Sequence, residues 1–427
     1  MGLADRIGQL WRAAESETKG FENLIELLTR IAFFVSGGWI LAIAWIDSSR
    51  APFFADFSIT AILLVAVGLG ILEIGVAVQG WVPSRKLVFL IPLSIVYLTV
   101  AHYWIFVHII LTYGTDGMAL NQYSAILVLR GQNPYTSDLS PALVLFPVPE
   151  TVLTPRETGE IVTSQTYPAL SFLLYVPFVA AGVADMRIVS LGAHVLSIFL
   201  LFRVTRGPLN VFAPLAVSFL DVLDFTPAPL QDILWIPPIV LSVATLNRPR
   251  WSGLLYGIAC SIKPVPWLIA PYLFVYLWKR EGTKLPTSPR LWNFVAFSAA
   301  SFLAFNGPFL VADPGAWASG VLSPLIANNV PQGTGVSTLM QAAWIPVSRT
   351  FFSVMAITAA VVLLTIEIVD FEKARYILWW FPAIVMFLSY RSFQNYFIYW
   401  YPLLFMSLAS WFMERIGGAH AWRSDLA

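Results

Sequence analysis

Residues 88–117 read VFLIPLSIVYLTVAHYWIFVHIILTYGTDG. Up to Thr112 the stretch holds no Asp, Glu, Lys or Arg, and it exceeds the roughly 20 apolar residues that a helix needs to cross a bilayer. It then breaks at Tyr113-Gly114-Thr115-Asp116-Gly117, so that a carboxylate stands where a membrane-spanning helix should meet water. A charge at that depth is costly unless it is partnered or used. The next convincing span begins only near residue 187. A polytopic all-α membrane protein with a large polar loop after this span is the reading that follows.

Composition agrees with it. The 427 residues are 58% hydrophobic and only 11% charged, against about 25% in soluble domains, too few to clothe a water-facing surface. A net charge of +1 gives no nucleic-acid signature. The single cysteine, Cys260, excludes an internal disulfide. His102, His108, His194 and His420 lack metal-ligand spacing. About two dozen polar and amphipathic residues precede the first apolar run, which argues for a retained anchor rather than a cleaved signal peptide.

Twelve spans are predicted: 24–46, 57–79, 88–112, 187–203, 209–223, 231–246, 251–262, 265–280, 291–311, 350–369, 376–390 and 396–414. The pair 251–262 and 265–280, split by Lys263-Pro264-Val265-Pro266, reads as a helical hairpin. With the N-terminus inside, 17 of the 25 basic residues fall on the inner side and 7 on the outer, with Arg30 within the first span. The positive-inside rule favours that orientation, with both termini cytoplasmic in a plasma (inner) membrane. The outer side then carries two long loops, 113–186 and 312–349. The first is expected to hold an amphipathic helix over Met118–Arg130 and an apolar run over Ala169–Ala184, read as a helix at the outer interface or packed against the bundle, with a membrane span as the alternative. Trp278, Trp379, Trp380, Tyr399, Trp400 and Tyr401 sit near span ends, as an interfacial aromatic belt would. The chain so divides into a cytoplasmic amphipathic segment (1–23), a transmembrane hairpin (24–87), a transmembrane body (88–414) with 113–186 as its outer loop, and a cytoplasmic tail (415–427).

Asp116 has two readings: an N-cap for the helix that starts near Gly117, or a general base at the membrane boundary. Lys263, behind a short apolar helix and before two prolines, either snorkels to the headgroups or meets an anionic phosphate. Arg391 opens Arg391-Ser392-Phe393-Gln394-Asn395-Tyr396-Phe397 at another outer boundary, and Arg187 and Arg130 share that face. Asp221 and Asp224 flank an outer span end and read as caps or loop residues, with a second catalytic carboxylate or a metal site as the alternative. Glu73 falls mid-span, where it pairs with a polar group of a neighbouring helix or marks an ion pathway. His102 reads as a structural hydrogen-bonding residue, and His108 lies two turns before Asp116.

An acidic residue at the outer end of a span, in the first large external loop, resembles the GT-C superfamily of integral-membrane glycosyltransferases. YGTDGMALNQYSAILVLRGQNPYT is similar to their acidic residue, helix and Asn-Pro-Tyr. TYPALSFLLYVPFVAAG resembles their Tyr-Pro apolar helix, and GLLYGIACSIKPVPWLIAPYLF their Gly-x-x-x-Gly, Lys-Pro and Pro segment. FNGPFLVADPGAW and RSFQNYFIYWYPLL resemble later pieces. The likeness covers about residues 88–414 and is nearest to the polyprenol-phosphate-mannose-dependent mannosyltransferases of the phosphatidylinositol-mannoside type. The hairpin 24–79 is additional to that pattern, and Gln394-Asn395 stands where relatives often carry a histidine.

The resemblance implies an inverting, single-displacement transfer of a sugar, mannose by family, from a polyprenyl monophosphate to a lipid or glycan acceptor. Asp116 would be the base, and Lys263, Arg391 and Arg187 would hold the donor phosphate. Tyr113, Asn121, Gln122, Tyr167, Gln394, Asn395 and His108 would line the sugar and acceptor subsites. No metal or other cofactor is implied. Pro227, Pro229, Pro237 and Pro238 bracket a helix that would face the cavity, where broken backbone is tolerated. The competing classes are a secondary transporter or lipid flippase, for which Glu73 and the broken helices speak, and a non-catalytic scaffold.

Overall fold

The structure, a computed structural model, describes residues 3–51, 56–79, 86–282, 287–326, 330, 333–345 and 348–416. Helices α1 (Leu3–Arg50) and α2 (Phe57–Val78) form an antiparallel hairpin. Asp56 starts α2 by accepting the amide N–H of Ser58 at 2.8 Å. The two helices touch at glycine: a Cβ on Gly37 would stand 2.6 Å from the Gly70 carbonyl oxygen, the close small-residue approach that membrane helices favour. Helix α3 (Leu90–Ile109) packs against both. Glu73 is buried between Ser36 of α1 and Ser94 of α3.

The 113–186 connection folds into α4 (Asp116–Leu129), α5 (Ser140–Leu145), α6 (Leu170–Leu173) and α7 (Val176–Ala180). Then follow α8 (Arg187–Val204), a 3-10 stretch Gly207–Val217, α9 (Leu220–Phe225), α10 (Asp232–Ala244) and α11 (Pro249–Ile262). After a 3-10 turn at Val265–Ile269 come α12 (Ala270–Glu281) and α13 (Pro289–Ala312). The second loop carries α14 (Pro314–Val321), α15 (Ser323–Ile326) and α16 (Val336–Ala342). The chain closes with α17 (Arg349–Val369), α18 (Phe371–Ala374), α19 (Phe381–Phe387), α20 (Asn395–Ile398) and α21 (Tyr401–Ile416). Among the described residues there is no strand, only isolated bridges joining Pro155 to Ile161 and Gly333 to Ser392.

Among the described residues, six helices are long and apolar enough to cross a membrane: Asn23–Arg50, Phe57–Val78, Leu87–Ile109, Arg187–Val204, Pro289–Ala312 and Arg349–Val369. They coincide with six of the twelve predicted spans and make this a membrane protein. The other six predicted spans are short or interrupted, and proline lies at or within several of the breaks. Pro214 lies within the 3-10 stretch, Pro237 and Pro238 lie inside α10, and Pro264 and Pro266 end α11. Each removes a backbone donor that a continuous helix needs. Nor do α11 and α12 pair as a hairpin. The main partner of α11 is α13, reached through Gly253 and Gly257; a Cβ on Gly253 would meet the Phe294 carbonyl oxygen at 2.4 Å.

Three other expectations change. Helix α4 forms, but 10 of its 14 residues are buried, so it is a wedge inside the protein rather than an amphipathic surface helix. The Ala169–Ala184 run is two short helices within Leu170–Ala180 rather than one, and at about 16 Å for 1.5 Å per residue it is too short to cross, in line with the preferred non-spanning reading. Of the expected aromatic belt, Trp379, Tyr399 and Trp400 are buried, with Trp400 packed 5.2 Å from Trp235 in the core. The N-terminal segment 3–22 continues α1 as helical backbone, and the tail beyond Ile416 lies outside the described residues.

Candidate functional site

The loop after α3 delivers Asp116 into the protein. Thr115, in extended conformation, is the N-cap of α4, and its hydroxyl accepts the Gly117 N–H at 3.2 Å. The capping role expected of Asp116 therefore falls to its neighbour, and Asp116 is the first helical residue. It is 7% exposed. One carboxylate oxygen accepts the Thr154 N–H at 2.7 Å, while the other has only the Thr115 hydroxyl at 3.4 Å. The partial positive charge of a helix N-terminus favours an anion here. Gly117 lies beside Tyr167: a Cβ at 117 would be in ordinary contact, 3.4 Å from the Tyr167 ring and 3.5 Å from its hydroxyl oxygen.

Lys263 approaches the same tyrosine from another direction. With Pro264 and Pro266 behind it, α11 cannot continue, and Lys263 leaves the helix in extended conformation. Its ammonium is 2.6 Å from Asp232 Oδ2 and lies over the rings of Tyr396, at 5.2 Å, and Tyr167, at 5.6 Å. Asp232, the first residue of α10, is wholly buried and also accepts hydrogen bonds from Asn395 Nδ2 and, at 3.2 Å, from Trp235 Nε1. Burial works against the Lys263 charge, but Asp232 with Tyr167 and Tyr396 outweighs it and holds the ammonium above its usual range. The Tyr167 phenol is pushed up to about 12, chiefly by burial, and feels both Asp116 and Asp232 as well as Lys263. Tyr167 is thus the joint between a carboxylate on α4 and a buried ion pair on α10 and α11. Gln231 ties the two halves further, donating to the Gly117 carbonyl at 3.3 Å.

Not every expected residue joins this cluster. Arg187 is held by Asp185 at 2.7 Å and by the Ile110 carbonyl at 2.8 Å, with the Tyr113 ring beneath it. Its bonds are spent on fastening the start of α8 to the end of α3. Tyr113 donates to Gln122, whose amide donates to the Ala184 carbonyl. Asn121 receives Gln165 and Ser171 and donates back to the Gly117 carbonyl. These three hold the loop helices together. His108 faces away from Asp116, 3.3 Å from Asp56 and stacked on Trp104. Gln394 donates to Asp221 at 2.6 Å, while its neighbour Asn395 does reach Asp232. Arg391 lies over Phe393, and among the described residues its Nε has no hydrogen-bond partner. Its segment is pinned to the second loop, where the Gly335 N–H donates to Ser392 Oγ at 2.9 Å. No described contact joins Arg391 to Lys263 or Asp116.

Asp224 and His102 turn out to be structural. His102 stands 2.9 Å from Asp47 and 3.0 Å from Asp224, and Arg50 meets Asp224 at 2.6 Å, so the α1–α2 hairpin is tied to the body by charge.

Asp232, Gln231 and Gln165 were missed in the sequence. Asp232 carried a usable signal, because it heads an apolar span as Asp116 heads α4. Gln165, which also accepts from Ser124 and donates to Ser171, lies in a loop with no pattern to betray it. Chemically, the arrangement offers a carboxylate oxygen with spare acceptor capacity, a cation with two N–H donors beyond the one given to Asp232, and aromatic walls. Comparison with protein-family models, with characterised proteins and with solved structures finds no match to this chain.

Proposed function

We propose that this chain is an inverting glycosyltransferase that moves a sugar, mannose by resemblance, from a polyprenyl monophosphate to a lipid or glycan acceptor. The observation that carries the reading is the meeting at Tyr167 of Lys263, 5.6 Å from its ring centre, and the start of α4, where Gly117 follows Asp116. The acceptor hydroxyl gives its proton to Asp116 as its oxygen bonds to the sugar's anomeric carbon. The bond from that carbon to the phosphate oxygen breaks, and the lipid phosphate departs with the electron pair. Lys263 neutralises the charge that develops on it, as a preorganised cation does. A phosphate leaves without a strong general acid, so one base suffices, unlike the paired carboxylates of glycosidases.

The GT-C-like, twelve-crossing arrangement belongs to the same proposal. The 3-10 stretch Gly207–Val217 would rise about 22 Å at roughly 2.0 Å per residue and reach the outer boundary through the turn that follows, leaving Asp221 and Asp224 at that boundary. Helices α10 and α11, at 13 and 14 residues, would each cover about 20 Å of the bilayer at 1.5 Å per residue and meet at the buried Asp232–Lys263 pair. The positive-inside bias then sets Asp116 on the outer or periplasmic face of the plasma membrane and both termini in the cytoplasm.

The test is transfer from a panel of polyprenyl-phosphate sugars by the wild type beside Asp116→Asn. Turnover that vanishes in a folded variant supports the reading; equal turnover in both removes Asp116 from the chemistry. A transporter is the second reading. It draws on Glu73 and Glu367, both wholly buried inside membrane-length helices, and on the Pro237-Pro238 break in α10. Substrate-dependent proton uptake into vesicles without any glycoside product would favour it.

A further inference from the structure

A cavity of about 610 Å³ opens at the end of the bundle opposite Asp116, between the turn after α18 and the last turns of α21. Its volume falls in the range of small-molecule sites, roughly 300–1,000 Å³. A second cavity of about 180 Å³ shares Arg375, Tyr376 and Glu414 with it and adds Arg206 and Arg280. The charges here are unevenly matched. Lys373 is paired with Asp370 at 2.9 Å, and Arg375 with Glu414 at 3.0 Å and with Glu372, which also lines the larger cavity, at 3.4 Å. Arg280 instead donates to the Tyr276 hydroxyl at 3.3 Å, and Arg415 lies over the Trp411 ring at 5.6 Å. Among the described residues neither of these guanidiniums, nor that of Arg206, meets a carboxylate.

The rim supplies the second clue. Ile377, Leu408 and Trp411 border the first cavity and are 47, 41 and 40% exposed. Cations with unused donors beside an apolar, outward-facing rim suit an amphiphile better than a soluble anion. Arginine matches phosphate oxygens with paired N–H donors, and basic pockets between membrane helices are where anionic headgroups lodge.

We propose that these joined cavities bind the phosphate headgroup of an anionic membrane lipid. Arg415 meets the phosphate in the larger cavity, Arg280 and Arg206 in the smaller one add to the positive field, and the acyl chains run along Ile377, Leu408 and Trp411. The site lies away from Asp116 and Lys263, and its assignment is independent of the sugar-transfer reading.

The test uses the full chain in detergent micelles, titrated with phosphatidylglycerol or phosphatidylcholine and read by native mass spectrometry. The wild type should bind phosphatidylglycerol more tightly. The double variant Arg280→Ala/Arg415→Ala should bind it about thirtyfold more weakly, from about 1 kcal/mol per basic residue. Glu414→Gln, which keeps an acceptor for Tyr376 and Arg375 while removing a negative charge, should bind it more tightly. Arg130→Ala, at the other end of the bundle, should leave binding unchanged. Equal affinity for the two lipids, an unaffected double variant, or equal weakening by Arg130→Ala would overturn the proposal. Glycerol phosphate at millimolar concentration should fail to displace the lipid. Displacement would reassign the site to a soluble phosphate ester and refute the lipid assignment.

Discussion

Replacing Asp232 by alanine would strand the Lys263 ammonium inside the protein, and the size of that penalty can be worked from the geometry. The pair is separated by 2.6 Å, and the two side chains are 5 and 0% exposed. With an effective dielectric constant near 20, unit charges at that distance attract by about 6 kcal/mol. Breaking a buried pair by removing one partner typically costs about 3–5 kcal/mol, because the survivor keeps its desolvation penalty. Asn395 and Trp235 would each lose an acceptor as well. A loss of about 3–5 kcal/mol is therefore expected for Asp232→Ala. Removing both charges, in Asp232→Leu/Lys263→Met, should recover most of it, since nothing charged is then left behind. Reversible unfolding in mixed micelles titrated with dodecyl sulfate would measure both. A single variant that costs less than about 1 kcal/mol would refute the reasoning, as would a double variant no more stable than the single. Either result would mean that water reaches the pair and that Lys263 is not a preorganised cation. On the proposed function the rescued double variant folds but does not transfer sugar, which separates the structural role of the pair from its chemical one.

Asp116→Asn should lower transfer by about 10²–10⁴-fold, the usual worth of a general base, with little change in unfolding; a variant that retains more than a tenth of the rate would contradict this. Gly257→Val should destabilise by about 1–3 kcal/mol or more through overpacking, because even a Cβ there meets Ser301 Oγ at 2.0 Å and the Ser298 carbonyl oxygen at 2.2 Å; the same unfolding assay reads it, and a neutral outcome would show that α11 and α13 are farther apart. Burial pushes the Asp224 carboxyl up, but His102 and Arg50 outweigh it and hold the group below its ordinary value of 3.8. A depressed carboxyl stabilises the fold above its unfolded value and loses that contribution as pH falls through the folded one. Asp224→Asn should accordingly be less stable than wild type at pH 7, with a gap that shrinks on acidification below about pH 4; a gap that is flat or widens there would break the argument.

What the sequence could reveal was set by which physical quantity each residue reports. Phe57–Val78 and Arg349–Val369 hold no proline and a single glutamate each, Glu73 and Glu367, so hydropathy and helix length coincide, and both were legible. At 209–223, 231–246, 251–262, 265–280, 376–390 and 396–414 hydropathy reports burial correctly, but proline and the 3-10 turns shorten the helices, and hydropathy is blind to that. The aromatic belt failed for the same reason. Tyr399 and Trp400 look like interface residues because they follow a polar segment, whereas the short α20 lets that segment turn inward and buries them against Trp235. Asp116 and Lys263 could be found because an ion at a span boundary stands out. Arg187 stood out equally, and its engagement with Asp185, two residues before it, was the local clue that it was already satisfied.

The short helices and the candidate site are two aspects of one arrangement. A helix that spans a bilayer places its ends, and the charges on them, in water. Helix α11 stops after 14 residues, about 21 Å of rise, and so ends inside the protein with Lys263 at its tip. Helix α10 begins inside the protein in the same way, and its first residue, Asp232, is wholly buried. The wedge α4 brings a third helix end, that of Asp116, to the same place. Three helix termini that end short of the surface carry three ionisable groups to one buried point, and Tyr167, Gln231 and Asn395 stitch them together. In a chain with so few charges, this clustering is hard to account for by solubility or anchoring, since each of these groups would be cheaper in water. Lengthening α11 should consequently move Lys263 away from Asp232. In Pro264→Ala/Pro266→Ala, where the helix is free to continue, transfer should fall along with the stability that the ion pair provides.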